Sequence, residues 1–120
     1  MPAPKVMLVE DDPQFVYLMR RYAASSGCHF LHADPASATL ELAQQERPDL
    51  ILLDVMLCAD DSREVLTALK ADHTTRGIRL YLCSASEEAL HEWEHEADGC
   101  LLKPVMYEDF LAILTQAGTS

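Results

Sequence analysis

The feature that most constrains this chain is the uninterrupted apolar run Leu50–Leu53, which lies between Asp49 and Asp54. Such a run has no polar face, so we expect a strand that is buried on both faces, as in the centre of a parallel sheet. The strand ends in the carboxylate of Asp54. Ligands of open α/β sheets bind outside the carboxyl ends of the strands, so Asp54 is the first candidate for chemistry. Many aspartates at strand ends, however, only begin a loop or cap a helix.

The rest of the sequence alternates short apolar strands with amphipathic helical segments. Strands are predicted at Lys5–Val9, at Cys28–Ala33, in the run ending at Asp54, at Ile78–Cys83 and at Cys100–Leu102. Helices are predicted from Asp12-Pro13 to Gly27, from Asp34-Pro35 to Pro48, over about Asp61–Asp72, from Ser86 to Asp98-Gly99, and after Lys103-Pro104. This alternation predicts an α/β fold: a five-stranded parallel sheet with the flavodoxin-like order 2-1-3-4-5 and helices on both faces.

Helical spacing also predicts which side chains of the helices face the core. These side chains are Phe15, Leu18, Met19 and Tyr22 in the first helix, Ala36, Leu40 and Ala43 in the second, and Val65, Leu66 and Leu69 in the third. The last helix carries the apolar residues Phe110, Leu111 and Leu114.

Length and charge limit the possible classes of protein. With 120 residues, of which 49% are apolar, we expect one domain spanning residues 1–120 and no effector domain. The net charge of −11 argues against direct binding to nucleic acid or an anionic membrane, and favours a protein that holds cations or docks onto basic or mixed partners. The four cysteines form no C-x-x-C pair, and no signal peptide or membrane-length apolar run is present, so we expect a cytoplasmic protein with reduced, mostly buried cysteines.

Polar side chains follow four of the five predicted strands. Glu10 and Asp11 follow the first strand, Asp54 the third, Ser84 the fourth and Lys103 the fifth. The carboxyl ends of parallel strands meet at one edge of the sheet, so three carboxylates are expected to converge, which raises their pKa values unless a cation neutralises them. Mg²⁺ prefers such oxygen ligands, and a hydroxyl and an ammonium group complete a pocket for a phosphoryl group on a carboxylate.

With these residues, the chain resembles a response-regulator receiver domain, the phosphoacceptor part of bacterial two-component signalling, over nearly its whole length. The matching motifs are Val9-Glu10-Asp11-Asp12-Pro13, Asp49-Leu50-Ile51-Leu52-Leu53-Asp54-Val55-Met56-Leu57, Cys83-Ser84-Ala85, and Asp98-Gly99 leading to Lys103-Pro104. The resemblance implies a cis peptide bond between Lys103 and Pro104. It also implies roles for the site residues: Asp54 as the phosphoacceptor; Asp54, Asp11, Glu10 through water and the backbone carbonyl of Met56 as Mg²⁺ ligands; Ser84 as the hydroxyl of the switch; and Lys103 as the contact of the phosphoryl oxygen.

By the same resemblance, the phosphoryl group comes from a phosphohistidine of a sensor histidine kinase or a histidine phosphotransfer protein. The protein would catalyse only its own phosphorylation and dephosphorylation and would not be an enzyme that acts on other substrates. Phosphorylation would change the binding of a downstream protein through the fourth helix, the fifth strand and the fifth helix, and a homodimer is a further possible outcome.

Two departures from the family pattern leave an alternative open. The loop Met56–Ser62 lacks the usual proline and glycine, and Cys100 occupies the position of the aromatic residue that reads out the switch. A domain that keeps the fold and binds partners independently of phosphorylation is therefore the second hypothesis. A small hydrolase using aspartyl-phosphate chemistry ranks last, because the chain has no segment that could form a substrate-binding cap.

Three further residues or motifs have alternative interpretations. The stretch His91–His95 matches the zinc-protease pattern H-E-x-x-H, but its acidic surroundings favour a solvated helix face. Trp93 in the same stretch is expected to pack against the sheet or a neighbouring helix, the alternative being an exposed anchor for a partner. Cys58 lies in the loop after Asp54 and is a candidate for an exposed thiol.

Overall fold

The computed structural model describes residues 3–34, 38–57 and 62–118, and side chains as far as residue 115. Its elements are β1 (Lys5–Val9), α1 (Pro13–Ser26), β2 (His29–Ala33), α2 (Thr39–Glu46), β3 (Leu50–Asp54), α3 (Ser62–Ala71), β4 (Arg79–Ser84), α4 (Glu87–Trp93), a short 3-10 helix (Glu94–Glu96), β5 (Gly99–Leu102) and α5 (Tyr107–Gly118). The strands form one parallel sheet in the order β2-β1-β3-β4-β5, which confirms the predicted fold class. None of the helices described is both long enough and apolar enough to cross a membrane.

The centre of the fold is β3, in which every residue is buried. Leu50 and Leu52 contribute to the core between the sheet and helices α1 and α5. Ile51 and Leu53 contribute to the core on the opposite face, where α2, α3 and α4 pack. A strand with apolar side chains on both faces is therefore the element shared by the two cores, as the apolar run predicts.

The first helix begins and ends where its sequence predicts. The Asp12 side chain accepts a hydrogen bond from the amide of Gln14 at 3.1 Å, and Pro13 is the first helical residue. Gly27 ends the helix with a left-handed φ of 75°, which a side chain would strain. This N-terminal cap places the start of α1 directly after the acidic residues that follow β1.

Several predicted core faces differ in detail. In α1, Phe15 and Met19 are buried as predicted. The other buried positions of α1 are Val16 and Ala23, and Leu18 and Tyr22 are only partly buried, because the contact with the sheet is centred on the opposite side of the Phe15–Met19 row. In α5, Phe110 and Leu114 are buried, whereas Leu111 is 37% exposed, so the apolar residues of this helix do not all face the core. The predicted positions in α3 are all buried, as is Ala43 in α2, while Leu40 is partly buried.

The predicted fourth helix is too long. It ends at Trp93 and continues as the 3-10 helix, because Asp98 is held by the sheet: its carboxylate accepts a hydrogen bond from the amide of Leu80 at 2.8 Å. Several other predicted features lie outside the described residues, namely Pro35 and Ala36 at the start of the second helix, Asp61 at the start of the third, and Cys58. Among the described cysteines, Cys83 is buried, whereas Cys28 and Cys100 are only partly buried.

Trp93 packs between elements, as the first of its two interpretations expects. Its ring lies against the core formed with α2, α3 and α4, and the Arg63 guanidinium lies 4.9 Å from the ring centroid. Arg63 also forms an ion pair with Glu96. The side chain of Arg63 therefore connects the start of α3 to the segment that follows α4.

Substituting Gly99 is expected to destabilise the sheet. Gly99 pairs with Tyr81 on β4, and a Cβ atom added at Gly99 would overlap the buried Tyr81 ring. We expect Gly99→Ala to lower the free energy of unfolding, measured by urea denaturation, by about 1–3 kcal/mol. Gly77→Ala is the matched control, because nothing lies within 4 Å of its added Cβ. Equal stabilities of the two variants would contradict this account, and the loss at Gly99 should shrink in a Tyr81→Val background.

Candidate active site

Three carboxylates converge at the carboxyl edge of the sheet. Glu10 and Asp11 follow β1, which pairs with β3 in a register that sets Val9 beside Leu53, so Asp54 lies next to them. Glu10, Asp11 and Asp54 each place a carboxylate oxygen within 4.8 Å of the others. Glu10 and Asp54 are 2% and 4% exposed, whereas Asp11 is exposed to solvent. The structure thus brings together the acidic residues that the sequence places at separate strand ends.

Lys103 bridges the two buried carboxylates. Its ammonium group donates to Glu10 Oε1 at 2.7 Å and to Asp54 Oδ2 at 3.2 Å. The ammonium lies 4.2 Å from the centroid of the Phe15 ring, a cation–π contact from α1. The backbone amide of Lys103 donates to the carbonyl of Ser84 at 2.8 Å, and the Lys103–Pro104 peptide bond is cis, as expected. These contacts hold the lysine at the end of β5 with its charge directed into the site.

The remaining contacts fix Asp54 and Glu10. Asp54 Oδ1 accepts a hydrogen bond from the amide of Met56 at 2.8 Å, and the backbone carbonyl of Asp54 accepts one from Ser62 Oγ at 2.6 Å. Glu10 Oε2 accepts hydrogen bonds from the amides of Asp11 and Asp12, each at 3.2 Å. In each buried carboxylate, one oxygen therefore accepts a hydrogen bond from Lys103 and the other accepts from the backbone, so the buried acceptors are satisfied.

Ser84 and Met56 line the same cavity, which has a volume of about 390 Å³. The buried Ser84 hydroxyl accepts a hydrogen bond from the amide of Ser86 at 3.0 Å and keeps its own hydrogen available as a donor. Ser86 in turn caps α4 by accepting from the amide of Ala89 at 3.2 Å. The hydroxyl thus lies at the edge of the site and is joined directly to the start of α4.

The electrostatics of the site are dominated by burial of like charges. The pKa of Glu10 is raised to about 7, first by burial and then by the adjacent Asp54 carboxylate, although the hydrogen bond and charge of Lys103 act to lower it. Burial alone would lower the pKa of Lys103, but its hydrogen bond to Glu10 and the charges of Glu10 and Asp54 outweigh that effect and raise its pKa. The lysine therefore stays charged and the glutamate holds a proton at slightly acidic pH.

The residues at this site fit a divalent cation with oxygen ligands. Three carboxylates and the ammonium group of Lys103 meet at this site, so the cluster is strongly acidic when all three carboxylates are ionised. Carboxylate oxygens are the ligands that Mg²⁺ prefers, and it usually takes one or two of them together with water. Among the residues that the structure describes, Glu10, Asp11 and Asp54 form the only cluster of three or more potential metal-binding side chains.

The H-E-x-x-H stretch forms no comparable site. His91 lies on α4, but His95 belongs to the 3-10 helix, so the two imidazoles do not share one regular helix face. The His91 side chain is 80% exposed, and its Nδ1 lies 3.2 Å from Glu94. Both histidines therefore lie on a solvated surface, as the acidic surroundings predict.

Three contacts of the site are not evident from the sequence pattern. Phe15 lies beside the Lys103 ammonium, Ser62 holds the Asp54 backbone, and His32 Nε2 donates to the carbonyl of Glu10 at 2.7 Å. Phe15 was predicted as a core residue of the first helix, and the Asp12-Pro13 helix start was the available signal that its ring lies near the site. For Ser62 and His32, nothing in the local pattern distinguishes them from other polar residues near loops.

Comparisons with known proteins identify the class. The family model of the response regulator receiver domain matches residues 6–115. The polar-differentiation response regulator DivK of Brucella anthropi is 31% identical over 109 residues, which are 88% of this chain and 89% of DivK. The transcriptional activator protein PfeR of Pseudomonas aeruginosa is 30% identical over 103 residues, which are 86% of this chain and 34% of PfeR. The chain spans about a third to a half of the length of the first curated relatives.

The chain therefore belongs to the response regulator receiver domain family of two-component signalling. Solved structures agree in fold. The receiver domain of a sensor histidine kinase from Pseudomonas aeruginosa PAO1, described with a magnesium ion coordinated in the active site cleft, has a TM-score of 0.89 and 21% identity, with 98% of this chain and 99% of that domain covered. The chemotaxis protein CheY4 of Vibrio cholerae has a TM-score of 0.83 and 23% identity, with 96% of this chain and 98% of CheY4 covered.

The raised pKa of Glu10 predicts how stability depends on pH without a metal. The folded protein keeps a proton on Glu10 between its ordinary pKa of 4.5 and about 7, whereas the unfolded chain releases it. Stability is therefore lost as pH rises through this interval, by an amount on the order of 1–3 kcal/mol. Urea denaturation in chelator at several pH values should show this slope in the parent, and Glu10→Gln should remove it.

The matched control for this measurement is the exposed Glu41 on α2. Glu41→Gln should keep the slope of the parent, because Glu41 does not contact the site. A parent protein whose stability is constant or rises between pH 4.5 and 7 in chelator would contradict the role of Glu10 burial.

Proposed function

We propose that Asp54 accepts a phosphoryl group from a phosphohistidine of a sensor histidine kinase or a histidine phosphotransfer protein, in a reaction that depends on Mg²⁺. The observation that carries this proposal is the position of the Lys103 ammonium, which contacts both Glu10 and Asp54 beside an exposed third carboxylate. A carboxylate next to a fixed positive charge and a cluster of oxygen donors suits a reaction in which negative charge develops on phosphoryl oxygens.

The chain's own residues can carry the transfer. A carboxylate oxygen of Asp54 attacks the phosphorus in line, the phosphorus–nitrogen bond breaks, and the imidazole leaves with the bonding electron pair. The amide of Met56 and the backbone contact from Ser62 hold Asp54 in place, which contributes positioning. The Lys103 ammonium moves from the carboxylates to a phosphoryl oxygen and stabilises its charge.

The proposed Mg²⁺ ligands are Asp11, Asp54, Glu10 through water, and the backbone carbonyl of Met56. When bound, the ion would supply Lewis-acid stabilisation of the phosphoryl oxygens. The sensor-kinase receiver domain with magnesium in its cleft supports this assignment by its fold. The Glu10–Asp11–Asp54 cluster supports it by chemistry.

The proposed response to phosphorylation begins at Ser84. Its hydroxyl would donate to a phosphoryl oxygen. Because the amide of Ser86 donates a hydrogen bond to the Ser84 hydroxyl, and Ser86 caps α4, a movement of Ser84 would act on the start of α4. The proposed outcome is a change in binding of a downstream protein to the face formed by α4, β5 and α5.

One observation favours the second candidate function, a receiver-fold module that binds partners without phosphorylation. Cys100 is partly buried on β5 and has no ring that could turn inward as the family's aromatic residue does. Mg²⁺ titration separates the two functions, because a module that binds partners without phosphorylation has no need for the ion, whereas the proposed receiver must bind it.

The phosphoacceptor is tested by intact mass after incubation with a small-molecule phosphodonor and Mg²⁺. We expect one added phosphoryl group in the parent, and none in Asp54→Asn or in chelator. Asp49→Asn is the matched control, since Asp49 lies at the opposite end of the same strand, where its carboxylate accepts from the amide of Lys5. Phosphorylation that persists in Asp54→Asn would show that another residue is modified, and no gain in the parent would call for a phosphorylated histidine protein as donor.

Removing the lysine should separate metal binding from phosphorylation. Lys103→Gln removes a positive charge that competes with a cation for Glu10 and Asp54, so we expect tighter Mg²⁺ binding by isothermal titration calorimetry. The same variant loses the charge that stabilises the phosphoryl oxygens, so its phosphorylation should slow by about a hundredfold. Lys5→Gln is the control, because it removes the ion pair of Lys5 with Glu46 outside the site, and it should change neither quantity. An unchanged phosphorylation rate in Lys103→Gln would contradict the proposed role.

A further inference from the structure

A groove between α4 and β5 lies beside the proposed phosphorylation site and is not part of it. Its volume is about 690 Å³, and its apolar floor is formed by Leu90, Cys100 and Leu102. Leu102 is 46% exposed and Cys100 is only partly buried. Since the residue at position 100 is a cysteine, its small side chain leaves space above this part of the floor.

The rim of the groove is acidic. The exposed residues Glu87, Glu88, Glu92 and Glu94 line it, and the lining residues that the structure describes include no lysine or arginine. Among these described residues, only His91 can become cationic, and its Nδ1 lies 3.2 Å from Glu94. The groove therefore combines an apolar floor with an excess of negative charge.

The helix itself accounts for only half of these glutamates. Glu87 and Glu88 lie in the first turn of α4, where the helix dipole favours carboxylates. Glu92 lies in the last turn of α4, where the dipole disfavours a carboxylate. Glu94 follows α4 as the first residue of the 3-10 helix, with His91 Nδ1 3.2 Å away. The α4 dipole thus gives no reason for either carboxylate, and both are exposed at the rim of the groove.

We propose that this groove binds a basic segment of the downstream protein, with one apolar side chain seated over Cys100 and lysine or arginine side chains facing Glu92 and Glu94. The inference rests on the proposed function, because it supplies the chemistry of the partner that the receiver would control. Charge complementarity selects this occupant. A second copy of the chain would bring the same glutamates and a net charge of −11, and nucleic acid would bring phosphates.

The groove is connected to the proposed phosphorylation site through β5. Leu102 lies opposite Ser84 in the parallel register and directly precedes Lys103. Cys100 lies opposite Leu82 on the same strand pair. A displacement of Ser84 or Lys103 would therefore act on the floor of the groove through adjacent residues.

The experiment uses two synthetic helical peptides with leucines on one face. One carries arginines at its remaining positions, and its counterpart carries glutamates. Isothermal titration calorimetry measures each Kd, and amide NMR shifts locate the binding site. We expect the arginine peptide to bind and to shift the amides of Leu90, Cys100 and Leu102, and the glutamate peptide to bind at least about tenfold more weakly. Equal Kd values for the two peptides, or shifts confined to other parts of the surface, would overturn the proposal.

Variants distinguish the groove from general attraction to an acidic protein. Cys100→Phe, which fills the floor, should raise the Kd of the arginine peptide about tenfold, and so should the double variant Glu92→Gln/Glu94→Gln. Glu41→Gln on α2 is a single control away from the groove. The double variant Glu41→Gln/Glu64→Gln is the control for Glu92→Gln/Glu94→Gln, because it changes the net charge by the same amount at exposed positions of α2 and α3. Equal weakening by the control pair would show non-specific attraction. Leu102→Gln, a surface substitution, keeps the test decisive if Cys100→Phe does not fold.

The titrations are made on the unmodified protein and on protein whose phosphorylation has been verified by intact mass. If phosphorylation occurs but neither form prefers the arginine peptide, the partner inference fails and the proposed function stands. If the unmodified protein prefers the arginine peptide but neither a small-molecule phosphodonor nor a phosphorylated histidine protein modifies it, the groove stands and the proposed phosphoryl transfer fails.

Discussion

The interaction on which the site depends is the contact of one ammonium group with two buried carboxylates. Glu10 and Asp54 would repel each other at the edge of the sheet if Lys103 did not lie between them, 2.7 Å from one and 3.2 Å from the other. Burial of two such charges is costly without a partner and hydrogen bonds, and here backbone amides satisfy the remaining oxygens. The lysine thus stabilises the close approach of the two carboxylates, and under the proposed function its charge would interact with a phosphoryl group that enters the site.

The architecture could be predicted because it follows from the periodicity of the chain. The apolar run before Asp54 requires a strand buried on two faces, and the alternation of strands and helices then allows few topologies. Since parallel strands end at the same edge, residues as distant in sequence as Glu10 and Lys103 were expected to meet, and the structure brings their side chains together. Their roles in phosphoryl transfer follow from family resemblance and remain proposals.

Features that depend on non-local contacts could not be predicted. The premature end of α4 follows from the bond between Asp98 and the Leu80 amide, which no local pattern encodes. The exposure of Leu111 on α5 and the contact between the Ser62 hydroxyl and the Asp54 carbonyl both depend on how a helix packs against the sheet. Periodicity predicts which residues form strands and helices and which strand ends lie at the same edge of the sheet. It does not predict how side chains of elements distant in sequence contact one another.

The packing of Trp93 has a consequence for spectroscopy. It is the only tryptophan of the chain, its ring is partly buried beside α3 and α4, and the Arg63 guanidinium lies over one face of it. All tryptophan emission of the protein therefore arises from one place, between the helix that follows the Asp54 loop and the helix that forms the acidic groove. The fluorescence of Trp93 can therefore report on changes between the candidate active site and the groove between α4 and β5 without an external label.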